Sequence, residues 1–202
     1  MNYFILASSI TLFAYLAVKL WQNRKIESAR EKSYWEMEHE ANNTRRKPLD
    51  DLDYITIPFD ELPVDILTDD EQVAEYLETL KTLSENPIVN FSCITNTELK
   101  LRYGAPNITI LSRYDSAYTV LARTLHQWAE KLIKGGYMEE AQTVLEFAVK
   151  TRTDVSGTYI KLAEIYMNLG RVDKIGELIS IAEELNSSFS KGTVLKLKEM
   201  VS

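Results

Sequence analysis

Glycine and proline are scarce in this chain, seven and five in 202 residues. A many-turned β-sandwich draws on far more of both, so the shortage points to helix. Cysteine is scarcer still: Cys93 stands alone, cannot form an internal disulfide and requires no oxidising compartment. Histidine is limited to His39 and His126, which leaves little for a zinc site. Basic residues are outnumbered by acidic ones, 23 against 30, a net −7. That balance argues against nucleic acid as a partner, because phosphate binding runs on clustered Lys and Arg. Phosphate-cradling and nucleophile motifs are missing as well: there is no GxxxxGK, GxGxxG, GxSxG or HExxH. What remains, 45% hydrophobic and 26% charged, is the usage of an ordinary folded protein with room for one domain and chain to spare.

One long apolar run stands out. Tyr3 to Val18 reads YFILASSITLFAYLAV without a charge, and Leu20 and Trp21 extend it past Lys19. About twenty helical residues span roughly 30 Å, the thickness of a bilayer core. Residues 1–21 are therefore expected to form a transmembrane helix whose partner is the lipid bilayer. Tyr3, Lys19, Trp21, Arg24 and Lys25 would sit at its interfaces, Lys19 carrying its ammonium out to the headgroups. A cleavable signal peptide begins with a positive region and ends at a small-x-small site, and neither feature is present. Lys19, Arg24, Lys25, Arg30 and Lys32 all follow the run. The positive-inside rule then predicts a single-pass protein of the cell membrane with its N-terminus outside and the rest cytoplasmic.

Residues 22–47 are rich in helix formers and lack a sustained heptad, which predicts a charged juxtamembrane helical stalk. His39 lies there among Glu36, Glu38 and Glu40 on a solvated face, so no metal is expected. Residues 48–67 contain Pro48, Pro58 and Pro63 and read as an extended acidic arm. Charge is concentrated there: residues 49–85 hold one basic and twelve acidic side chains, a net −11. Solubility explains this blandly, and an acidic docking arm for a basic partner explains it more sharply. Clustering of Asp50, Asp53, Asp60 and Asp65 about Mg²⁺ would instead indicate a small metal-dependent enzyme. Residues 68–111 are expected to form a helical cap region. Thr68 and Glu71 have the form of a capping box for a helix to about Ser84, and Thr95 and Glu98 repeat it before Gly104. Ile88 to Ile94 is a short apolar run of undetermined type.

From Ser112 the chain becomes strongly helical and repeats itself with a period of 34. LHQWAEKLIKGGYMEEAQTVLEFA aligns without a gap to YIKLAEIYMNLGRVDKIGELISIA. Ala129 and Ala163 permit close helix approach, Gly136 and Gly170 end the first helices, and Ala148 and Ala182 let the second helices pack on the next unit. This pattern resembles the tetratricopeptide repeat (TPR) family. It departs from that family where Ile175 replaces the small residue found at Ala141, and where Thr153 and Ser187 stand in place of a terminating proline. The fold expected is all-α, with two TPR-like hairpins over 112–188 and a C-terminal capping helix over 189–202. In that helix Phe189, Val194, Leu195, Leu197 and Met200 would cover the stack, and residues 69–103 would supply the missing hairpin on its other side. The whole layout also looks like uncharacterised single-span proteins of Gram-positive bacteria, a likeness that implies no function.

The resemblance implies a binding groove lined by first helices. Carried over by position, Arg123, His126, Glu130 and Ile133, with Ile160, Glu164 and Met167, would face it. The family's clamp for chaperone C-termini needs Lys and Asn where His126 and Glu130 stand, so that ligand is not expected. The groove suits an amphipathic helix or extended segment, unless the arm from Tyr54 to Leu62 covers it. No catalytic residue and no cofactor is expected: Cys93 and His126 have nothing in sequence to bring them together. The chain thus reads as a non-enzymatic adaptor or scaffold that binds a protein or peptide partner at the cytoplasmic face. The alternative is an accessory or assembly subunit of a larger membrane complex. Four Asn-x-Ser/Thr sites, at Asn42, Asn90, Asn107 and Asn186, would be open to glycan if the domain faced a eukaryotic lumen.

Overall fold

Forty-two residues without a proline or glycine run as one helix, α1 (Asn2–Asn43), in the computed structural model. The structure describes residues 2–185 and 190–201, and in α1 it does not extend to the side chains of residues 2–11, 13, 14, 17 and 29. Most of the stretch expected to span a membrane, Tyr3 included, therefore lies outside the described side chains. Among the described residues no helix is long and apolar enough to cross a membrane. Every helix and strand element among the described residues is helical, with one isolated antiparallel bridge between Tyr54 and Val89. The chain divides into two compact units.

The first unit comprises residues up to Lys47 with Asn96–Asn107. It pairs the end of α1 with α2 (Asn96–Tyr103) and a 3₁₀ turn, Ala105–Asn107. Glu38 accepts hydrogen bonds from Lys100 Nζ at 2.6 Å and from Thr97 Oγ1, and these donors hold its carboxyl below the usual carboxylate range. Asn107 is only 2% exposed and joins three segments. Its Nδ2 donates to the carbonyls of Lys47 and Tyr103 at 2.8 Å each, and its Oδ1 accepts from Arg46 Nε at 2.8 Å. Helix α2, expected as part of a hairpin capping the repeats, packs on α1. The reason is polar: Lys100 and Thr97 have their carboxylate partner on α1.

The second unit holds the arm and the remaining helices: α3 (Glu71–Ser84), α4 (Ile108–Lys134), α5 (Met138–Lys150), α6 (Ser156–Asn168), α7 (Asp173–Glu184) and α8 (Ser190–Val201). Here α3 buries Val73, Leu77 and Leu80 and packs on α4. Its cap is Asp70, not Thr68. The Asp70 carboxylate accepts from the backbone N–H of Gln72 and Val73 and from Lys131 Nζ at 3.0 Å, an arrangement that keeps its carboxyl below the usual range. This pair places the start of α3 beside the end of α4, so the two run antiparallel. Helix α4 starts at Ile108, four residues before Ser112, because the 3₁₀ turn leads straight into it.

The 34-residue period is reproduced in hydrogen bonds. Gly136 N–H donates to Ile133 O and Tyr137 N–H to Leu132 O. Gly170 N–H donates to Met167 O and Arg171 N–H to Tyr166 O. Both glycines lie at positive φ, +86° and +69°, where a left-handed residue closes a helix. Each turn folds a second helix back along its first, α5 along α4 and α7 along α6. Trp128, Leu132, Ala129 and Ala141 are buried with their counterparts Leu162, Tyr166, Ala163 and Ile175. Thr153 is buried and works through hydrogen bonds: its hydroxyl accepts from Val155 N–H and its carbonyl from Tyr159 Oη.

Helix α8 packs on α6 and α7 through Ser190, Thr193 and Leu197, with Val194 and Met200 half-buried. Leu195, expected on that face, is instead 60% exposed, because it lies on the opposite side from the buried stripe at 190, 193 and 197. Phe189 and Ser187 lie outside the described residues.

Candidate functional site

The face assigned to partner binding is carried by α4 and α6, and the structure brings part of it together. His126 sits half-buried on α4 with Thr158 Oγ1 3.3 Å from its Nδ1 and Glu130 Oε1 4.0 Å from its Nε2. Gly157, the second residue of α6, faces the imidazole so closely that an added Cβ would lie 2.8 Å from the ring. Lys161 contributes a charge next to the ring and donates to Glu164 at 3.1 Å. Arg123, Glu164 and Met167 are exposed, whereas Glu130, Ile133 and Ile160 are half-buried. Ile133 packs against the hydrophobic core, so it is a groove wall more than a contact. Gly157 and Lys161 were missed by position transfer. Their signal was present: Gly157 is the counterpart of Arg123, 34 residues on, and a glycine there makes room for a ring.

Burial pushes His126 below its ordinary value near 6.5, Lys161 pushes the same way, and Glu130 opposes them. A depressed folded pKa means that the unfolded chain takes up the proton first as pH falls. The contribution of neutral His126 is therefore intact above about 6.5 and is lost below it as the ring is forced to charge. Urea midpoints measured across this range should fall less steeply in His126→Gln than in the parent chain; identical slopes would remove His126 from the account.

Beside Arg123 lies a cavity of about 310 Å³ lined by Ser92, Asp115, Tyr118 and Asp154 among others. One wall comes from the 88–94 segment, which is neither strand nor helix but a strap. Phe91 N–H donates to Asp115, Asn90 Nδ2 donates to the carbonyls of Thr151 and Arg152 at 3.0 Å each, and the Cys93 thiol donates to Leu185 O. The α5–α6 turn is held from inside as well, for Tyr118 Oη also donates to Thr151 O, and burial pushes that phenol up to about 12. Cys93 is exposed and shares no hydrogen-bond partner with His126.

The arm lines a cleft other than the cavity beside Arg123. Tyr54, Ile55, Thr56, Pro58 and Glu61 line a cleft of about 640 Å³ whose other wall is the C-terminal ends of α5 and α7. Ile57 and Leu62 anchor the arm in the core, and Ile55 N–H donates to Ile88 O. Asp50, Asp53, Asp60 and Asp65 are exposed, and among the described residues no three His, Cys, Asp or Glu side chains gather as metal ligands. Near α1, Trp21, Arg24 and Lys25 are exposed, with Lys25 Nζ 5.4 Å from the Trp21 ring centre and Lys19 Nζ 5.9 Å from that of Tyr15. No protein-family model matches this chain, and no match is found among curated proteins or solved structures.

Proposed function

We propose that this chain is a membrane-anchored helical-repeat adaptor, its TPR-like hairpins binding a protein segment at the cytoplasmic face and carrying out no catalysis. One observation carries the reading: α4 and α6 present Arg123, Glu164 and Met167 to solvent along the face where His126, Glu130, Lys161 and Ile160 stand half-exposed. Apolar and charged groups alternating on a helical face suit an amphipathic helix or extended segment. The apolar run before Lys19 supplies the anchor, and the unbroken helix from Asn2 to Asn43 sets the reach. Confinement to a surface raises the local concentration of any partner also held there.

Two sequons support the cytoplasmic placement. The Asn90 and Asn107 amides each donate to two backbone carbonyls within the fold, so a glycan on either nitrogen, which leaves it one N–H, would cost at least one of those bonds. Such a fold suits a compartment that adds none. The groove is tested by crosslinking in intact membranes followed by mass spectrometry, comparing the parent with Glu130→Lys/Glu164→Lys. The parent's captured partners should fall about tenfold in the variant, as like charges meet across the contact. An unchanged set of partners sinks the proposal.

A further inference from the structure

The cavity beside Arg123 is walled by three separate pieces of the second unit. Helix α4 supplies Asp115, Tyr118, Ala122 and Arg123, the strap supplies Ser92, and the α5–α6 turn supplies Asp154 and Val155. Hydrogen bonds link each pair of these pieces. Phe91 N–H ties the strap to Asp115 at 3.1 Å, Asn90 ties it to the carbonyls of Thr151 and Arg152, and Tyr118 Oη ties α4 to Thr151 O. A cavity with pinned walls needs little reordering when it is filled. At about 310 Å³ it stands at the low end of ligand sites and is too small for a helix some 10 Å across, so it admits a single side chain.

Its charge is out of balance. Asp115 and Asp154 are both half-buried, and neither forms an ion pair among the described residues. A carboxylate has about four acceptor sites. Asp115 takes the Phe91 N–H, and Asp154 accepts no hydrogen bond from the described residues. Arg123, exposed on the α4 wall, is likewise in no ion pair, so two carboxylates face one guanidinium and the cavity keeps a net negative charge. Tyr118 feels that excess: burial first, and then the charges of Asp154 and Asp115, push its phenol up to about 12. Tyr118, Ala122 and Val155 supply carbon to the same walls. A metal ion suits the place poorly, because hard cations take six or more oxygen ligands and no three His, Cys, Asp or Glu side chains gather among the described residues. A long side chain with a carbon stem and a cationic head matches both kinds of wall.

We propose that this pocket takes a lysine or arginine side chain of the protein segment bound on the α4–α6 face, its head between Asp115 and Asp154 and its stem against Tyr118, Ala122 and Val155. The inference rests on the adaptor reading and adds the chemistry that selects the partner: a basic residue at the Arg123 end of the bound segment. Arg123 supplies the continuity, since it belongs both to that face and to the pocket wall.

The test uses the full chain in mild detergent, with Nα-acetyl-lysine methylamide and its arginine counterpart as probes and amide NMR as the readout. Saturable shifts are expected at Ser92, Asp154 and Val155 with at least one of the two. The norleucine counterpart, a stem without the charge, should bind at least about tenfold more weakly. Asp115→Asn together with Asp154→Asn keeps an acceptor for Phe91 N–H and should weaken the probe about tenfold. In intact membranes the same double variant should cut the crosslinked partners about tenfold. If Glu130→Lys/Glu164→Lys loses the partners and the double aspartate variant keeps them, the pocket assignment falls and the face stands; if both variants keep them, both readings fall. No saturable shift with either probe, norleucine binding as well as lysine, magnesium chloride giving the same shifts and displacing the probe, or a probe indifferent to the loss of both carboxylates would each overturn the proposal.

Discussion

Gly104→Ala is expected to take the first unit apart at a cost of about 4 kcal/mol or more. Gly104 ends α2 at φ +94°, and a Cβ there would lie 2.2 Å from Arg45 O, 2.7 Å from Arg45 C and 2.8 Å from Arg46 Cα. All three are backbone atoms, so no rotamer can yield. Relief requires the corner after α2 to move off the 44–47 segment. That movement breaks Lys47 N–H to Tyr103 O, Ala105 N–H to Thr44 O, and the hold of Asn107 on Lys47 and Tyr103. Each such bond contributes on the order of 1 kcal/mol net, and more when a buried group is left without a partner. Gly136→Ala is the control. It has the same sign of φ, +86°, but no atom within 4 Å of the added Cβ, so only left-handed strain of about 1–2 kcal/mol applies. Gly176, inside α7 and equally open, should gain about 1 kcal/mol as alanine. Hydrogen exchange resolves the variants by location. Gly104→Ala should speed exchange over 41–47 and 96–107, and Gly136→Ala only around the α4–α5 turn. Equal losses in the two would show that the backbone approach at Gly104 is not limiting.

The all-helical class of the C-terminal part was legible in sequence because the determinants of its helices are local. Alanine at 129 and 163, glycine at 136 and 170, and large residues between them specify close helix crossings and left-handed helix ends by themselves. What was not legible depends on partners far along the chain. Thr68, Asp69 and Asp70 are all competent caps, and the choice fell to Asp70, the one within 3.0 Å of Lys131, 61 residues away. The pairing of α2 with α1 hangs on Glu38, Lys100 and Asn107, which belong to no periodic pattern. The position of Leu195 followed from the phase of α8, and a short helix with apolar residues at 194, 195, 197, 200 and 201 leaves that phase ambiguous. For the expected partner face, periodicity placed its residues on α4 and α6. It missed Gly157 and Lys161, because transfer from a family pattern names contact positions and passes over the residues that shape them.

Trp128→Ala should destabilise the repeat body by about 3–5 kcal/mol, a large part of the total stability of an ordinary domain. Trp128 is fully buried in the core, the largest side chain there. Its Nε1 has a distinct consequence: among the described residues it is the one buried side-chain polar atom without a hydrogen-bond partner. A buried orphan donor costs roughly 1–3 kcal/mol. Removing the ring therefore loses packing and at the same time relieves a penalty, and smaller changes separate the two. Trp128→Phe keeps most of the ring volume and discards the N–H, so it should cost under about 1.5 kcal/mol. Trp128→Leu puts at this position the residue that the α6–α7 hairpin already uses at Leu162, and should fall between the two. Denaturant unfolding ranks the series. Far-UV circular dichroism follows the transition, because every variant of the series removes the Trp128 fluorescence and Trp21 and Trp35 are exposed. A Trp128→Phe loss as large as that of Trp128→Ala would mean that the indole N–H stabilises the native state, and the account of it as an orphan would fall. Leucine at the equivalent position makes the opposite result the expected one: each hairpin, α4–α5 and α6–α7, holds a large apolar wedge between its helices, and the first of the two carries an indole whose polar edge the fold does not use.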